Sequence, residues 1–418
     1  MRVIGIIAEF NPFHNGHGYL ISKAREAVGD PRAIVLAVMS GSFVQRGTPA
    51  VLPKHIRARQ ALLNGADVVL ELPFTFACAP SERFASGAVE LLRKTGVVTD
   101  IAFGVDIDDP SLLDELAEIS PDDEKLRGYL AAGDSFPSAR AKAIIDEMRS
   151  SGRELSGEEE KRYLEALRMP NSILALDYMK AMKEKGARWN VIRVKREPSS
   201  SATETRRKLF DGRDKKDASV SSIASDLSGL MPDNALAAML SSFQAGKSSF
   251  PDRDSWSEDT AQLVLRGGQT EEYAYMSDGL PGYLYNRLSS MRGFTYEDTQ
   301  AALATKHFTM PRIDRALSSL LVGQTSSYVA SEKSPRYIRV LGFTKDGRYC
   351  LKIMGKCAKL PVIHNLSDGL ELCSSDPALK QQLELDIRAT GTAARYHGLP
   401  YGYEWEIPPV TDLPKKRG

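Results

Sequence analysis

The chain has few cysteines, no long apolar run and no basic leader, and each absence excludes a class of protein. Its four cysteines form no CxxC pair and no metal-ligand spacing, so we interpret them as mostly buried thiols in a reducing compartment. No apolar run reaches about 18 residues, which excludes a helical membrane span. The first residues lack a basic segment followed by a cleavable apolar stretch. We therefore expect a cytoplasmic protein without a membrane partner.

Net charge is also nearly absent. The 55 Lys and Arg residues balance 54 Asp and Glu residues, which leaves a formal charge of +1. A chain without a global basic field can meet nucleic acid only through a local patch. At 418 residues the chain exceeds what one hydrophobic core usually serves, so we expect two or three domains.

The first half alternates short apolar runs with amphipathic stretches. Runs rich in Val and Ile, bounded by Gly, Pro, Asp or Asn, predict buried parallel strands at 2–8, 33–39, 67–72, 100–105 and 190–194. Helical spacing of apolar residues lies between them, at 17–28, 54–64, 82–94 and 171–185. This alternation predicts an α/β fold with a doubly wound, Rossmann-like parallel sheet. The loops after the strands should converge on one ligand site, at 9–16, 40–53, 73–81 and 104–110.

Composition changes along the chain predict three domains. Residues 1–215 hold the sheet, with a charged helical insertion at 108–170. Residues 216–334 combine Ser- and Asp-rich linkers with amphipathic helices at 234–244, 258–266, 281–291 and 312–322, which indicates a helical domain. Residues 335–418 predict a small C-terminal α/β subdomain, with a strand pair over 336–354 around a Lys-Asp-Gly turn and a further strand within 359–366.

The motif HNGH, at 14–17, follows the first predicted strand. A helix that begins near Gly16 would present unpaired backbone N–H groups and a positive dipole end, which suit a phosphate. His14 and His17 could donate hydrogen bonds to the charge that builds on a phosphorus atom under in-line attack. The alternative is a pair of histidines that only cap the helix beside a glycine turn.

A second polar motif, SSATETR at 200–206, follows the fifth predicted strand. It places Ser and Thr hydroxyl groups and an arginine at the predicted start of a helix. Taken alone, a Ser- and Thr-rich helix start is most often an ordinary N-cap, and this alternative stays open.

The chain resembles the HxGH nucleotidyltransferase superfamily, whose members transfer adenylyl groups. The resemblance lies in the order of its features: a strand, the HxGH motif, a helix and a late Ser/Thr–Arg motif. Longer stretches resemble one branch, the tRNA(Met) cytidine acetate ligases: EFNPFHNGHGYLISKAR, SGSFVQRGTPAVLPKHIRARQALLNGADVVLELPF, PSERFASGAVELL and PNSILALDYMKA. The resemblance runs from Arg2 to about Ile363 and is strongest before residue 210. The sequence is identified as a member of that family.

The resemblance implies a two-step ligase reaction. Acetate and ATP would give acetyl-adenylate and diphosphate, and N4 of the wobble cytidine of elongator tRNA(Met) would then attack the acetyl carbon, giving N4-acetylcytidine and AMP. ATP is thus a substrate, and Mg²⁺ is a generic companion of ATP. Two rivals stay open: a small-molecule adenylyltransferase, and a catalytically inactive nucleotide-sensing RNA-binding protein.

The resemblance also implies the site residues. His14 and His17 would be catalytic, and Lys54 would add a phosphate-facing or RNA-facing cation. The ATP-binding residues would be Ile7, Ala8, Glu9, Phe10, Asn11, Pro12, Phe13, His14, Asn15, Gly16, His17, Gly18, Tyr19, Leu20, Gly104, Asn171, Arg196, Ser201, Thr203 and Arg206. Gly104 could instead be a strand-end turn, Asn171 an N-cap and Arg196 a solvated charge. Glu71 could face the site or cap the sheet edge.

Binding of tRNA requires a path of Lys and Arg even on a neutral chain. Segment 180–216 is rich in both, and a second basic cluster lies near 306–315. The residues we expect to bind tRNA are Arg46, Arg207, Lys208, Lys306, Arg312 and Arg315. The alternative for either cluster is a solvated helix face.

The sequence departs from the family pattern in three places. Leu20 stands where another histidine is expected, and Asp106 replaces an expected glutamate. The connection between Arg196 and Ser199 is short, and the usual longer loop with Tyr, His and Asp is missing.

Overall fold

The computed structural model describes residues 1–196, 202–213 and 220–413. Its strands are β1 Val3–Ala8, β2 Ile34–Ser40, β3 Val68–Leu72, β4 Asp100–Val105, β5 Asn190–Lys195, β6 Ile338–Phe343 and β7 Val362–Ile363. They form a seven-stranded sheet in the order β5-β4-β1-β2-β3-β6-β7. The first five strands are mutually parallel, and β6 pairs antiparallel with β3.

Helices follow the strands of the first half and fill the segment between β4 and β5. They are α1 Asn15–Val28, α2 Lys54–Leu63, α3 Phe74–Ala77, α4 Ser81–Thr95, α5 Ser111–Ala117, α6 Asp123–Ala131, α7 Phe136–Ser150, α8 Gly157–Ala166 and α9 Pro170–Lys185. The predicted doubly wound sheet is thereby confirmed, and α5 to α8 lie in the segment predicted as a helical insertion.

The second half is mainly helical. Its helices are α10 Ala202–Arg213, α11 Val220–Leu227, α12 Asp233–Gln244, α13 Arg253–Leu265, α14 Leu280–Leu288, α15 Tyr296–Leu303, α16 Met310–Val322, α17 Ser326–Ser331, α18 Lys345–Cys357, α19 Leu366–Cys373, α20 Pro377–Tyr396 and α21 Tyr403–Glu406, with a 3₁₀ turn at Thr270–Glu272. Along the described part of the chain, no helix combines the length and apolarity needed to cross a membrane.

Strand β1 lies at the centre of the parallel sheet, between β2 and β4. Alternate residues of a strand point to opposite faces, so Val3 and Ile7 pack in one apolar cluster while Ile4 and Ile6 pack in another. The chain runs from β1 toward β2 and β3 on one side and toward β4 and β5 on the other. Such a reversal of strand order opens a crevice at the carboxyl ends of β1 and β4, where α/β sheets bind their ligands.

The predicted strand pair over 336–354 is wrong in its second half. Only β6 is a strand, and α18 follows it with Thr344 as the N-cap, whose hydroxyl accepts a hydrogen bond from the Gly347 N–H at 3.1 Å. Cys350, Leu351 and Met354 are the buried apolar residues of α18. Their spacing is helical, whereas the alternation that suggested a strand runs through Tyr349, Leu351 and Ile353, so this short window contains both periods.

The C-terminal segment shares its sheet with the N-terminal residues. Strand β6 pairs with β3, for example Leu70 with Val340, and β7 extends the same edge. The predicted strand within 359–366 is confirmed as β7. The four helices predicted between 234 and 322 are also present, as α12, α13, α14 and α16.

Two helical glycines allow a test of this packing. An added Cβ at Gly87 of α4 would lie 2.4 Å from Cγ of Phe76, whereas Gly128 of α6 faces open space. We expect Gly87→Ala to lower the free energy of unfolding by about 1–3 kcal/mol through overpacking. Gly128→Ala should raise it by up to about 1 kcal/mol, because alanine has the higher helix propensity. Chemical denaturation of both variants measures the difference, and equal effects would contradict the tight contact of α4 with α3.

Candidate active site

The two histidines of the HNGH motif cap helix α1 reciprocally. Nδ1 of His14 accepts a hydrogen bond from the Gly16 N–H at 3.1 Å. Nδ1 of His17 accepts one from the His14 N–H, also at 3.1 Å. The two rings lie 3.8 Å apart between centroids. The capping alternative raised by the sequence is therefore correct in geometry, and it does not compete with a catalytic role.

This arrangement fixes the protonation state of both rings. A neutral imidazole that accepts at Nδ1 carries its hydrogen on Nε2, so each ring keeps one N–H donor free of the cap. Burial, together with the charges of Arg196 and Arg206, lowers the pKa of His14 to about 4. Burial, together with His14, also lowers the pKa of His17 well below its ordinary value. The pair consists of two neutral hydrogen-bond donors near pH 7.

The start of α1 does not present the unpaired backbone N–H groups that the sequence suggested. The Asn15 N–H donates to Leu230 O at 3.0 Å, and the His17 N–H donates to His14 O at 2.9 Å. The Gly16 N–H donates to Nδ1 of His14, and the Asn15 side chain donates to Gly229 O at 2.8 Å. Because the first N–H groups already have partners inside the protein, the imidazoles are the free donors at this helix end.

Arg57 of α2 holds the loops beneath the histidines, and sequence reasoning missed it. Its fully buried guanidinium donates to the backbone oxygens of Glu9 at 2.7 Å, Ser40 at 3.0 Å and Leu52 at 2.9 Å, and to that of Gly41. These oxygens follow the ends of β1 and β2, so one side chain joins both loops. Burial lowers its pKa to about 10. The only sequence signal for this role was the position of Arg57, a basic residue within the apolar helical pattern of 54–64.

Residues 7–20 divide into residues that pack in the core and residues that flank the HNGH turn. Ile7, Phe10, Phe13 and Leu20 pack in the apolar clusters on the two sheet faces, so their side chains support the motif. Leu20, which replaces the expected histidine, thus belongs to the core. The remaining predicted members flank the turn: Ala8, Glu9, Asn11, Pro12, Asn15, Gly16, Gly18 and Tyr19. Glu9 and Asn11 hold loop 40–53 by accepting from the N–H groups of Gln45 at 2.8 Å and Val51 at 2.7 Å.

The end of β4 brings three predicted residues together around Asp106. Asn171 donates to the Asp106 carboxylate through its backbone N–H at 3.1 Å and its side-chain Nδ2 at 2.9 Å. Nη1 of Arg196 lies 3.3 Å from the same carboxylate. A Cβ added to Gly104 would lie 3.5 Å from Cγ of Arg196, an ordinary contact. Packing within the protein therefore does not require glycine at 104.

The second motif also reaches the first. Nη1 of Arg206 donates to Asn11 O at 3.0 Å, which places this guanidinium beside the HNGH turn. Thr203 is exposed on the first turn of α10. Ser201 lies outside the described residues.

Lys54 does not occupy the position predicted for it. Its Nζ lies 2.8 Å from Glu71 and 2.9 Å from Glu404, and it donates to the Thr390 hydroxyl at 3.0 Å. Burial alone would lower the pKa of Lys54, but Glu404 and Glu71 raise it above its ordinary value. The side chain is 1% exposed, which contradicts a phosphate-facing or RNA-facing role. Glu71 is likewise a buried partner of Lys54 and neither faces the site nor caps an edge.

The six residues predicted to bind tRNA differ in their surroundings. Arg207 pairs with Asp211 at 2.9 Å, and Arg312 pairs with Asp278 at 2.7 Å. Arg315 is half-buried and donates to Gln45 O at 3.2 Å. Within the described ranges, no hydrogen bond or ion pair is found for the side chains of the other three, which are Arg46, Lys208 and Lys306.

Much of the basic segment 180–216 meets acids of the helical insertion. Lys183 pairs with Glu118, Arg193 with Asp114 and Lys195 with Asp108. These pairs join β5 and the end of α9 to the insertion. For this part of the segment the alternative of a neutralised surface is the better description.

Among residues 1–196, 202–213 and 220–413, no group of three or more His, Cys, Asp or Glu side chains is placed to hold a metal ion. The residues described do not fit a metal held by the protein alone.

The fold and the histidine pair define a nucleotidyltransferase-type site, and comparisons agree. Residues 1–398 match the HIGH Nucleotidyl Transferase family. Two curated relatives are the tRNA(Met) cytidine acetate ligase of Acetivibrio thermocellus, 33% identical over 93% of this chain and 94% of the relative, and that of Thermotoga maritima, 34% identical over 91% and 93%. The crystal structure of Thermotoga maritima TmcAL bound with alpha-thio ATP superposes with a TM-score of 0.87 at 30% identity, covering 98% of this chain and 99% of that one. The chain belongs to the tRNA(Met) cytidine acetate ligase family.

Lys54→Met tests whether this lysine is structural. The substitution leaves Glu71 and Glu404 buried without their cation, so we expect the free energy of unfolding to fall by about 3–5 kcal/mol. Lys23→Met removes an exposed pair with Glu26 and should change it by less than about 1 kcal/mol. Urea denaturation of both variants gives the comparison. A Lys54→Met protein that is as stable as the parent but inactive would restore a direct catalytic role.

The His14 ring also predicts a pH dependence of stability. Its pKa is about 4 in the folded chain against an ordinary 6.5, so the unfolded chain takes up the proton first as the pH falls. Above pH 6.5 the neutral ring makes its full contribution to the free energy of unfolding. This contribution is lost as the pH falls toward 4, and about 2 kcal/mol of it is lost at pH 5. His14→Asn keeps an N-cap side chain and should reduce this acid-induced loss. Denaturation series at pH 7 and pH 5 measure it, and identical losses in both proteins would contradict the assignment.

Proposed function

We propose that this chain is an ATP-dependent ligase that acetylates N4 of the wobble cytidine of elongator tRNA(Met). A carboxylate oxygen of acetate attacks the α-phosphorus of ATP, the bond to the β-phosphate bridging oxygen breaks, and diphosphate leaves with the electron pair. N4 of the cytidine then attacks the acetyl carbon, and AMP leaves as N4 loses a proton. The observation that carries the proposal is the pair of neutral imidazoles at the end of β1, whose Nε2–H groups have no hydrogen-bond partner among the described residues.

The histidines would act in the first step. Negative charge grows on the oxygens of the α-phosphorus as the acetate oxygen approaches, and donors fixed beforehand stabilise that charge without reorganisation. His14 and His17 are fixed in this way by their caps on α1. Their low pKa values favour the neutral donor over a general acid. Family membership and the similar TmcAL structure bound with alpha-thio ATP support a nucleotide at this place.

Cations near the histidines would hold the rest of the triphosphate. Arg206 contacts the backbone of Asn11 and Arg196 stands at the end of β5, so both guanidinium groups flank the HNGH turn. Thr203 and Ser201 would contribute hydroxyl groups at the start of α10. Mg²⁺ would enter only as a companion of the phosphates.

The tRNA would cover the sheet domain and the helical segment together. Arg46, Lys208 and Lys306 carry charges without partners among the described residues, so they are the strongest phosphate contacts of the six. Arg207 and Arg312 would exchange exposed carboxylate partners for phosphates, and Arg315 would act mainly by holding the loop that carries Arg46. A tRNA substrate would be consistent with a cytoplasmic location.

One experiment separates this proposal from its rivals. The protein is incubated with ATP and labelled acetate, with and without bulk tRNA, and AMP and labelled RNA are measured. The ligase gives both products only with tRNA. A small-molecule adenylyltransferase gives no labelled RNA, and an inactive RNA-binding protein gives neither product.

The histidine pair predicts the effect of His17→Ala. Loss of one donor should slow acetate-dependent exchange between ATP and diphosphate by about 10²–10³-fold while the chain remains folded. His307→Ala removes an exposed histidine of the helical segment and should leave this tRNA-independent exchange unchanged. Exchange rates and thermal unfolding of both variants give the measurement. Wild-type exchange by His17→Ala would refute the role of the pair.

A further inference from the structure

We propose that Asp106 is a positioning residue that turns the amide oxygen of Asn171 outward, where it accepts a hydrogen bond from the bound nucleotide. This inference rests on the proposed function, because it names how that site selects its nucleotide. Asp106 would not touch the reacting phosphorus. It would act through Asn171, at the mouth of the crevice between β1 and β4.

The contacts of Asp106 point to this role. Its side chain is 15% exposed and accepts from both the backbone N–H and the side-chain Nδ2 of Asn171. Nδ2 lies 2.9 Å from one carboxylate oxygen and 3.1 Å from the other. Asp106 also caps the start of α9, where a negative charge is favourable. Asn171 is thus held at two points by one side chain.

The hydrogen-bonding capacity of the Asp106 carboxylate determines the orientation of the Asn171 side-chain amide. An ionised carboxylate only accepts hydrogen bonds, so the NH₂ group of Asn171 must face Asp106. The oxygen of the amide therefore points away from Asp106. Within the described residues no hydrogen bond to this oxygen is found. An acceptor without a protein partner, in a crevice built for ligands, is available to a donor on the ligand.

The crevice location connects this acceptor with the nucleotide. Asp106 directly follows β4, the neighbour of β1 in the sheet, and the Arg196 N–H donates to Val105 O at 3.0 Å. Arg196 in turn approaches Asp106 and packs over Gly104, so Asn171, Asp106 and Arg196 form one polar group at the end of β4. A fixed acceptor would select the 6-amino group of adenine or a ribose hydroxyl, both of which are donors. It would reject the 6-oxo group of guanine, which is an acceptor.

The test measures nucleotide binding rather than turnover. Isothermal titration of the full chain compares ATP with purine riboside triphosphate, which lacks the 6-amino group, and with 2′-deoxy-ATP and 3′-deoxy-ATP. We expect one of these analogues to bind the wild-type chain roughly tenfold more weakly than ATP, the effect of one lost hydrogen bond. The analogue that loses affinity identifies whether the base or the ribose is the donor.

Two variants show whether Asp106 and Asn171 cause the discrimination. In Asp106→Asn the side chain can also donate, so the amide of Asn171 is no longer fixed, and in Asn171→Ala the acceptor is gone. ATP and the discriminated analogue should then bind within about twofold of each other. Asp106→Glu keeps the carboxylate and should keep the discrimination. Asp108→Asn is the matched control, because Asp108 lies on the same loop and pairs with Lys195 on the surface.

Each remaining result has a defined meaning. Equal affinity of the wild-type chain for ATP and all three analogues overturns the assignment, as does discrimination that survives unchanged in either Asp106→Asn or Asn171→Ala. If Asp106→Asn does not fold, Asn171→Ala and Asp106→Glu decide by the same criterion. Failure of the wild-type chain to bind ATP at all overturns the proposed function and the assignment with it, whereas binding without discrimination overturns the assignment alone.

Discussion

The structure depends on the junction between β1 and α1, where two imidazoles serve as caps of one helix. Because the Nδ1 atoms of His14 and His17 accept backbone N–H groups, the rings cannot rotate or change tautomer without uncapping α1. The same bonds that begin the helix therefore prepare the Nε2–H donors. The capping bonds and the Nε2–H groups thus lie on opposite edges of the same rings, and the proposed chemistry would use the Nε2 edge. Backbone N–H groups, often the anion site at such a helix end, have partners within the chain instead.

The neighbouring elements hold this junction in place by buried polar contacts. Arg57 joins the loops after β1 and β2 through hydrogen bonds to their backbone oxygens. The turn at Gly229–Leu230, in the helical segment, accepts hydrogen bonds from Asn15. This second contact brings the helical segment directly to the nucleotide crevice. In the proposed reaction, a tRNA bound to that segment would therefore lie close to the acetyl-adenylate. The helical insertion has another role, since its acids neutralise much of the basic surface near β5.

Buried charge explains where a catalytic expectation was wrong. Lys54 lies in a loop-to-helix region rich in family-like sequence, which suggested an exposed cation. Its partners are Glu71 of β3 and, more than 300 residues later, Thr390 and Glu404 of the C-terminal helices, and only the folded structure brings them together. An ion pair of this kind binds the C-terminal helices to the sheet domain. Sequence spacing contains no signal for such a set.

The sequence alone determined the alternation of strands and helices, the HNGH junction after β1 and the family, because these depend on local periodicity and on contiguous motifs. It could not separate strand from helix over Lys345–Cys357, where both periods fit the apolar residues. Tertiary structure alone decided which side chains meet: Asp106 with Asn171, Arg206 with Asn11, and β6 with β3. These contacts join residues far apart in the chain, and their free energy depends on burial and orientation, which no local pattern encodes.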